Sequence, residues 1–297
     1  MRRLVPAIAA VLVPLLAAGC GGTSSAAGHP GKPVQLGVPL PQEISSKGTL
    51  TVGVACDYPP FGAVDVSGQH AGYDVAVAHT LAQDAFGDPG KAGFTCVTPS
   101  NRIPYLTTGK IDLIISTLGY TPDRAKVISY SSPYFTSGVK LLVLNGSPVT
   151  SWGTVSGQTI ISKKGTTASI YLQKCQPHSP LRLYDTTSEA VTALQQHRGA
   201  AFAEDGTLLL GLAVQNKKLS VQGDAVAATP WGLGLRQGDT AMKKWVDAAL
   251  AKMQAEDKFW TIFQAAVPQK GVVEAFTKSM PRPGHSLSYP TGDPYTC

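Results

Sequence analysis

Several things that common functions require are missing from this 297-residue chain. The apolar stretch at residues 4–16 falls short of the ~20 residues that a membrane-spanning helix needs. There is no Cys-x-x-Cys pair and no close Cys/His spacing, and His70, His79, His178, His197 and His285 are scattered, so no metal site is indicated. No GxSxG, HExxH or SxxK stretch with its required companions is present, which removes the common hydrolase patterns and leaves Glu204 as the single group for general acid work. Charge is also modest. Lys plus Arg number 25 against 19 Asp plus Glu, a net +6, or +4 once Arg2 and Arg3 are set aside, too mild and too dispersed for a nucleic-acid partner.

What is present begins at the N-terminus. Arg2 and Arg3, the apolar stretch and "AAGC" at 17–20 predict a signal peptide over residues 1–19. The cysteine directly after small residues resembles a bacterial lipobox, with Ala17 where Leu is usual and Leu16 one step further out. Lipid on Cys20 is therefore expected, with ordinary secretion as the alternative. Residues 20–48 are rich in Gly, Ser, Ala and Pro and read as a flexible tether. Setting Cys20 aside, Cys56, Cys96, Cys175 and Cys297 are an even number in an oxidising compartment, so disulfides are the default. Of three pairings, 56 with 96 and 175 with 297 is favoured, because Cys56 and Cys96 both sit at or near early strands of one region.

From residue 50 the pattern alternates strand and helix: strand 50–56, helix 73–86 with apolar residues at 75, 78, 81, 82, 85 and 86, strand 94–98, a short helix near 103–108, strand 111–116 and a helix opened by Thr121. A second unit repeats the plan around "QTIISKKGTTASIYLQKC", with a strand at 182–184, a helix at 188–197 and a strand at 200–203, before a long amphipathic helix. Such an order implies two α/β lobes with ligands held at strand ends. The lobes are expected at 49–137 with 233–280 and at 138–232, followed by an irregular arm at 281–297.

The residues of chemical interest fall at those strand ends. Thr121-Pro122-Asp123 reads as a helix cap, a first helical position and an early acid, which places the cation Arg124 against the positive end of a helix. With Ser116, Thr117 and Gly119 just before it, the place suits a carboxylate or phosphate, unless Arg124 merely pairs with Asp123 on the surface. "KKGTT" repeats the device with Lys163, Lys164, Gly165, Thr166 and Thr167, although its glycine spacing is not that of a P-loop. Glu204 and Asp205, just past a strand end, offer carboxylates to an ammonium group, the ordinary alternative being solvated loop acids. Tyr58, beside Pro59 and Pro60, offers an aromatic face or simply core packing. Together these groups are what a zwitterion needs.

"GTLTVGVACDYPPF", "GYDVAVAHTLA", "NRIPYLTTGKIDLIISTLGYTPDRAKVISYSSPYF" and "KKGTT", spread over about residues 47–267, resemble the bacterial extracellular solute-binding proteins of family 3, the amino-acid-binding components of ABC importers. The resemblance implies the periplasmic-binding type II fold, α/β in class, with two lobes joined by a two-segment hinge near 136–139 and 230–234. It also implies a permease as partner, a lipid-anchored extracytoplasmic location, no cofactor, no enzyme activity and a monomer. Carried over by position, Arg124 clamps the ligand's α-carboxylate, helped by Thr117, Gly119 and Thr167; Glu204 takes the α-ammonium, with Asp205 as substitute; and Tyr58 covers the ligand. Ala55 stands where binders of basic amino acids tend to carry Asp. Arg102 and Lys163 remain as two cations facing the side chain, which predicts an acidic amino acid or its amide. Competing functions are a sensory binding protein for a membrane receptor and a dehydratase on the same fold.

Overall fold

The β-branched and aromatic run "ISYSSPYFTSGVKLLVL" forms one strand of 17 residues, and it pairs antiparallel with another of 18 residues, "LSVQGDAVAATPWGLGLR". The fold is a two-lobed α/β assembly organised around this pair. In a computed structural model, residues 31–267 and 270–297 are described; the expected signal peptide and Cys20 lie outside them. The strands are β1 (Leu50–Val54), β2 (Asp57–Tyr58), β3 (Gly62–Val64), β4 (His70–Ala71), β5 (Ala92–Cys96), β6 (Leu113–Ile114), β7 (Ile128–Leu144), β8 (Ile160–Lys163), β9 (Leu181–Tyr184), β10 (Ala201–Asp205) and β11 (Leu219–Arg236). Eight of them form one sheet in the order β5-β1-β6-β11-β7-β10-β8-β9, while β2, β3 and β4 form a small separate sheet.

At one end of the long pair, β1 runs parallel to β5 and β6, and β6 meets β11 at Ile114↔Gly234. At the other end, β8 runs parallel to β9 and β10, and β10 meets β7 at Phe202↔Leu142. The two expected hinge segments are thus the middles of continuous strands, not separate linkers. Register shifts between Gln222 and Gly234 bend the pair there, around Pro230, which has no N–H to give to a ladder.

Each end has its own core. Val52, Leu81, Trp245, Phe259 and Phe263 belong to the first, and Val139, Leu141, Ile160, Leu172 and Ala203 to a second. Each fully buried large apolar side chain contributes roughly 1.5–3 kcal/mol. The helices that matter for the site are α1 (Gln42–Lys47), α2 (Tyr73–Phe86), α3 (Arg102–Thr107), α4 (Pro122–Ala125), α5 (Thr167–Cys175), α6 (Thr187–Gln195) and α7 (Gly206–Gln215), with α8 (Thr240–Ala255) and α9 (Lys258–Ala266) covering the first lobe. Among the described residues no helix is long and apolar enough to cross a membrane.

Some boundaries differ from the sequence reading. The apolar run at 111–116 is buried, but only Leu113 and Ile114 join the ladder. Asp112 interrupts it by accepting from Thr51 N and Lys47 Nζ. Strand β5 lies two residues earlier than expected, and β1 stops at Val54. Helix α6 covers 187–195 rather than 188–197, and His197 turns left-handed at φ 55°. Strand β10 extends through Asp205, so Glu204 and Asp205 are strand residues rather than loop acids. Disulfides join Cys56 to Cys96 and Cys175 to Cys297.

Candidate functional site

The ends of β6, β8 and β10 face one another where the lobes meet. The loop that leaves β6 is fixed from behind: Asp74, in the first turn of α2 and fully buried, accepts hydrogen bonds from Thr117 N (3.0 Å) and Tyr134 Oη (2.9 Å). Burial pushes the Asp74 carboxyl up to about 7, with its two donors acting in the opposite direction. These bonds hold Thr117 at φ 45°, a conformation that a β-branched residue adopts only under constraint. Sequence reasoning passed over Asp74. The signal was there, in a carboxylate on the buried side of an amphipathic helix.

Two arginines flank this loop. Arg102, on α3, is buried, donates through Nη1 to Ser116 O, and leaves Nε without a hydrogen-bond partner among the described residues. Burial, and then the neighbouring Arg124 charge, lower its pKa to about 10. Arg124 is also buried and follows a Thr121 cap whose hydroxyl accepts from Arg124 N at 3.0 Å. The surface pairing with Asp123 does not form: Asp123 accepts from Lys126. Instead Arg124 donates through Nη1 to Gly119 O and through Nη2 to Gly165 O (2.7 Å), the latter across the gap between lobes. Gly119 has its own reason for lacking a side chain, since a Cβ there would stand 2.9 Å from Thr167 Cγ2 of the facing lobe.

The second lobe contributes the acids. Glu204 Oε1 accepts from Asp205 N at 3.1 Å, while Glu204 Oε2 has no hydrogen-bond partner among the described residues. Asp205 Oδ2 accepts from Tyr58 Oη, also at 3.1 Å, a bond that crosses between lobes. Burial raises both carboxyls and the Tyr58 phenol; the adjacent acids push Asp205 and Tyr58 further up, whereas the Lys163 charge and the Asp205 N–H bond oppose the shift at Glu204. Lys163, expected to face a ligand side chain, lines the cavity and is engaged by neighbours of its own. Its ammonium donates to Thr187 Oγ1 (3.0 Å), lies 3.9 Å from Glu204 Oε2 and sits 4.8 Å from the Tyr58 ring centroid. Asp57 Oδ2 accepts from Thr187 N at 2.6 Å, another link between lobes, and was not singled out from the sequence.

The cavity enclosed by these groups is about 20 Å³, room for about one water molecule, so the lobes are closed on each other. Tyr58, Arg102, Ser116, Thr117, Lys163, Thr167, Glu204 and Asp205 are among the residues that line it; Gly119 and Arg124 are not. A larger cavity of about 420 Å³, walled by Pro60, Phe61, Val214 and Phe263, carries no charged group, so the chemistry belongs to the smaller one. Cys56, His70 and Cys96 bring metal-type ligands within 4.8 Å, but the two sulfurs are bonded to each other and offer no thiolate.

The comparisons with known proteins agree with this architecture. Residues 50–267 match the family described as bacterial extracellular solute-binding proteins, family 3. The chain is 32% identical over 223 residues to the ABC transporter glutamine-binding protein of Bacillus subtilis, covering 74% of this chain and 82% of that one. A glutamine-binding protein of Geobacillus stearothermophilus is also 32% identical, with 77% and 89% covered. Among solved structures, the solute receptor for L-cysteine of Neisseria gonorrhoeae superposes with a TM-score of 0.74 at 31% identity, over 76% of this chain and 92% of that one.

Proposed function

This chain belongs to the bacterial extracellular solute-binding proteins of family 3, and on that premise we propose that it captures a polar amino acid, glutamate or aspartate ahead of glutamine or asparagine, between its lobes and delivers it to an ABC importer. One observation carries the ligand reading. Two buried ionic groups of opposite sign, Arg102 through Nε and Glu204 through Oε2, each leave an atom without a hydrogen-bond partner beside the same cavity, one from each lobe. An unpaired buried polar atom costs roughly 1–3 kcal/mol, and a zwitterion between the lobes supplies both missing partners.

The groups divide among the ligand's three parts. Arg124 now donates to Gly165 O across the gap, a bond that opening breaks and closure remakes; a carboxylate at that place offers the guanidinium a charge-assisted, bidentate partner. The two acids share the α-ammonium: it supplies the partner that Glu204 Oε2 lacks, and Asp205 carries the larger part of its charge, because Lys163 lies beside Glu204 whereas Asp205 has only the Tyr58 hydroxyl. Arg102 is then the cation left for the side chain. That is one cation where the sequence suggested two, enough for a carboxylate or an amide oxygen. The named relatives are binding proteins, which supports capture rather than turnover.

Lipid on Cys20 tethers the protein in this reading. A Cys20→Ser protein should leave the detergent phase; one that stayed there would refute the anchor. The ligand is tested by thermal shift against the twenty standard amino acids, where glutamate, aspartate and their amides should stabilise most. Greatest stabilisation by arginine, lysine or a branched aliphatic would overturn the role given to Arg102.

A further inference from the structure

The arm at 281–297 lies beyond the family match, which ends at residue 267, and apart from an Arg282↔His285 bridge it forms no regular structure. It is nevertheless fastened along its whole length, and the fastenings change lobe on the way. At its start Arg282 grips Asp257 of the first lobe through Nε and Nη2 (2.7 and 2.6 Å). In the middle, Tyr289 Oη donates to Ser131 O at 2.7 Å, and its ring packs on Tyr120 and Tyr130. The fit against the hinge is close: a Cβ on Gly232 of β11 would stand 1.9 Å from Tyr289 Oη. Asp293 then pairs with Lys174 on α5 of the second lobe, the buried Tyr295 returns to the first lobe by donating to Tyr120 O at 3.1 Å, and at the end Cys297 is bonded to Cys175, again on α5.

The path therefore joins the loop that carries Arg124 to the helix that carries Thr167. Tyr120 lies between Gly119, whose carbonyl accepts from Arg124 and from Tyr130 Oη, and the cap Thr121. Only two peptide steps separate Tyr295, held on the first lobe, from Cys297, covalently held on the second; they reach at most about 7 Å. Wider separation at this edge requires Tyr295 to leave its buried seat.

We propose that the C-terminal arm is a strap across the hinge, locked by Cys175–Cys297, which limits how far the lobes part and raises affinity by keeping the binding-competent closed state populated. The affinity effect rests on the proposed closure around an amino acid, and follows because apparent affinity scales with the fraction of competent protein.

The test uses the whole protein, a Cys297→Ser variant and a variant with about six Gly/Ser residues inserted between Tyr295 and Thr296, which keeps the disulfide and adds slack. Small-angle scattering without ligand should show a larger radius of gyration for both variants than for wild type, and equal radii when all are saturated with L-glutamate or L-glutamine. Dissociation of either amino acid should be about three- to tenfold faster from both. Unchanged ligand-free radii and rates in both variants would overturn the strap. So would a change in Cys297→Ser alone, because the disulfide would then act on local stability and not through the length of the arm. A wild type that contracts with neither amino acid would count against the ligand reading, while the ligand-free radii would still judge the strap.

Discussion

The two lobes meet the cavity with opposite electrostatic habits. The first brings Arg102 and Arg124, and neither has a carboxylate within ion-pair distance among the described residues; backbone carbonyls hold them instead. The second brings Glu204 and Asp205, with Lys163 as a partial counter-ion to one of them. Local carboxylates would have satisfied the arginines within their own lobe and left them nothing to gain on closure. Carbonyls hold them in place at a neutral–charged bond strength that an anion improves on. Each lobe by itself leaves its charges incompletely paired, which is the asymmetry on which the proposed zwitterionic ligand rests.

The largest expected effect comes from breaking the cationic side. Arg124→Ala should weaken amino-acid binding by roughly a hundredfold or more while leaving the fold intact, since losing one partner of a desolvated charge pair costs about 2–5 kcal/mol. Calorimetric titration with near-normal affinity would return Arg124 to a purely structural bond with Gly119 and Gly165. On the acidic side, Asp205→Asn should cost about ten- to a hundredfold, and Glu204→Gln less, because Lys163 already lies beside Glu204. Titration of both variants reverses the assignment if Glu204→Gln is the weaker binder.

Arg102→Gln sharpens the comparison further. It should lower affinity for glutamate about tenfold more than affinity for glutamine, because only the acidic side chain loses a charge partner. Equal losses for the two would mean that Arg102 does not meet the side chain.

The smallest effect concerns the support behind the first lobe. Because burial raises the Asp74 carboxyl to about 7, the folded protein holds its proton to higher pH than the unfolded chain does. The folded state binds more protons between about pH 4 and 7, so stability contributed by this group falls as pH rises through that window and is level above it. Glu204 and Asp205 are shifted in the same direction and add to the slope. Urea midpoints at pH 5 and pH 8 should therefore differ less in Asp74→Asn than in wild type. An identical difference would show that Asp74 titrates normally.

Local chemistry made much of this legible. Thr121 reads as the cap of the Arg124 helix; Thr166, which accepts from Ser169 N, and Thr186, which forms a capping box with Glu189, cap α5 and α6 by the same local rule but were not singled out from the sequence. Glu204 and Asp205 were found but misplaced by one structural class, since apolar pattern ended the strand before two buried acids that in fact continue it. Asp74 and Asp57 were missed because their partners, Thr117 and Tyr134 for one and Thr187 for the other, are 43 to 130 residues away.

The sequence by itself determined the alternation of strands and helices, the helix caps, and the set of cations, hydroxyls and carboxylates gathered at strand ends, because periodicity and capping act within a few residues. Only the tertiary structure decided how those groups are used. Lys163 turned to Glu204, Thr187 and Tyr58, Arg124 reached across to Gly165, and the arm ran over the hinge from Tyr289 to Cys175. Each of these depends on how two lobes, built on one continuous pair of bent strands, come to face one another, and no local pattern carries that distance.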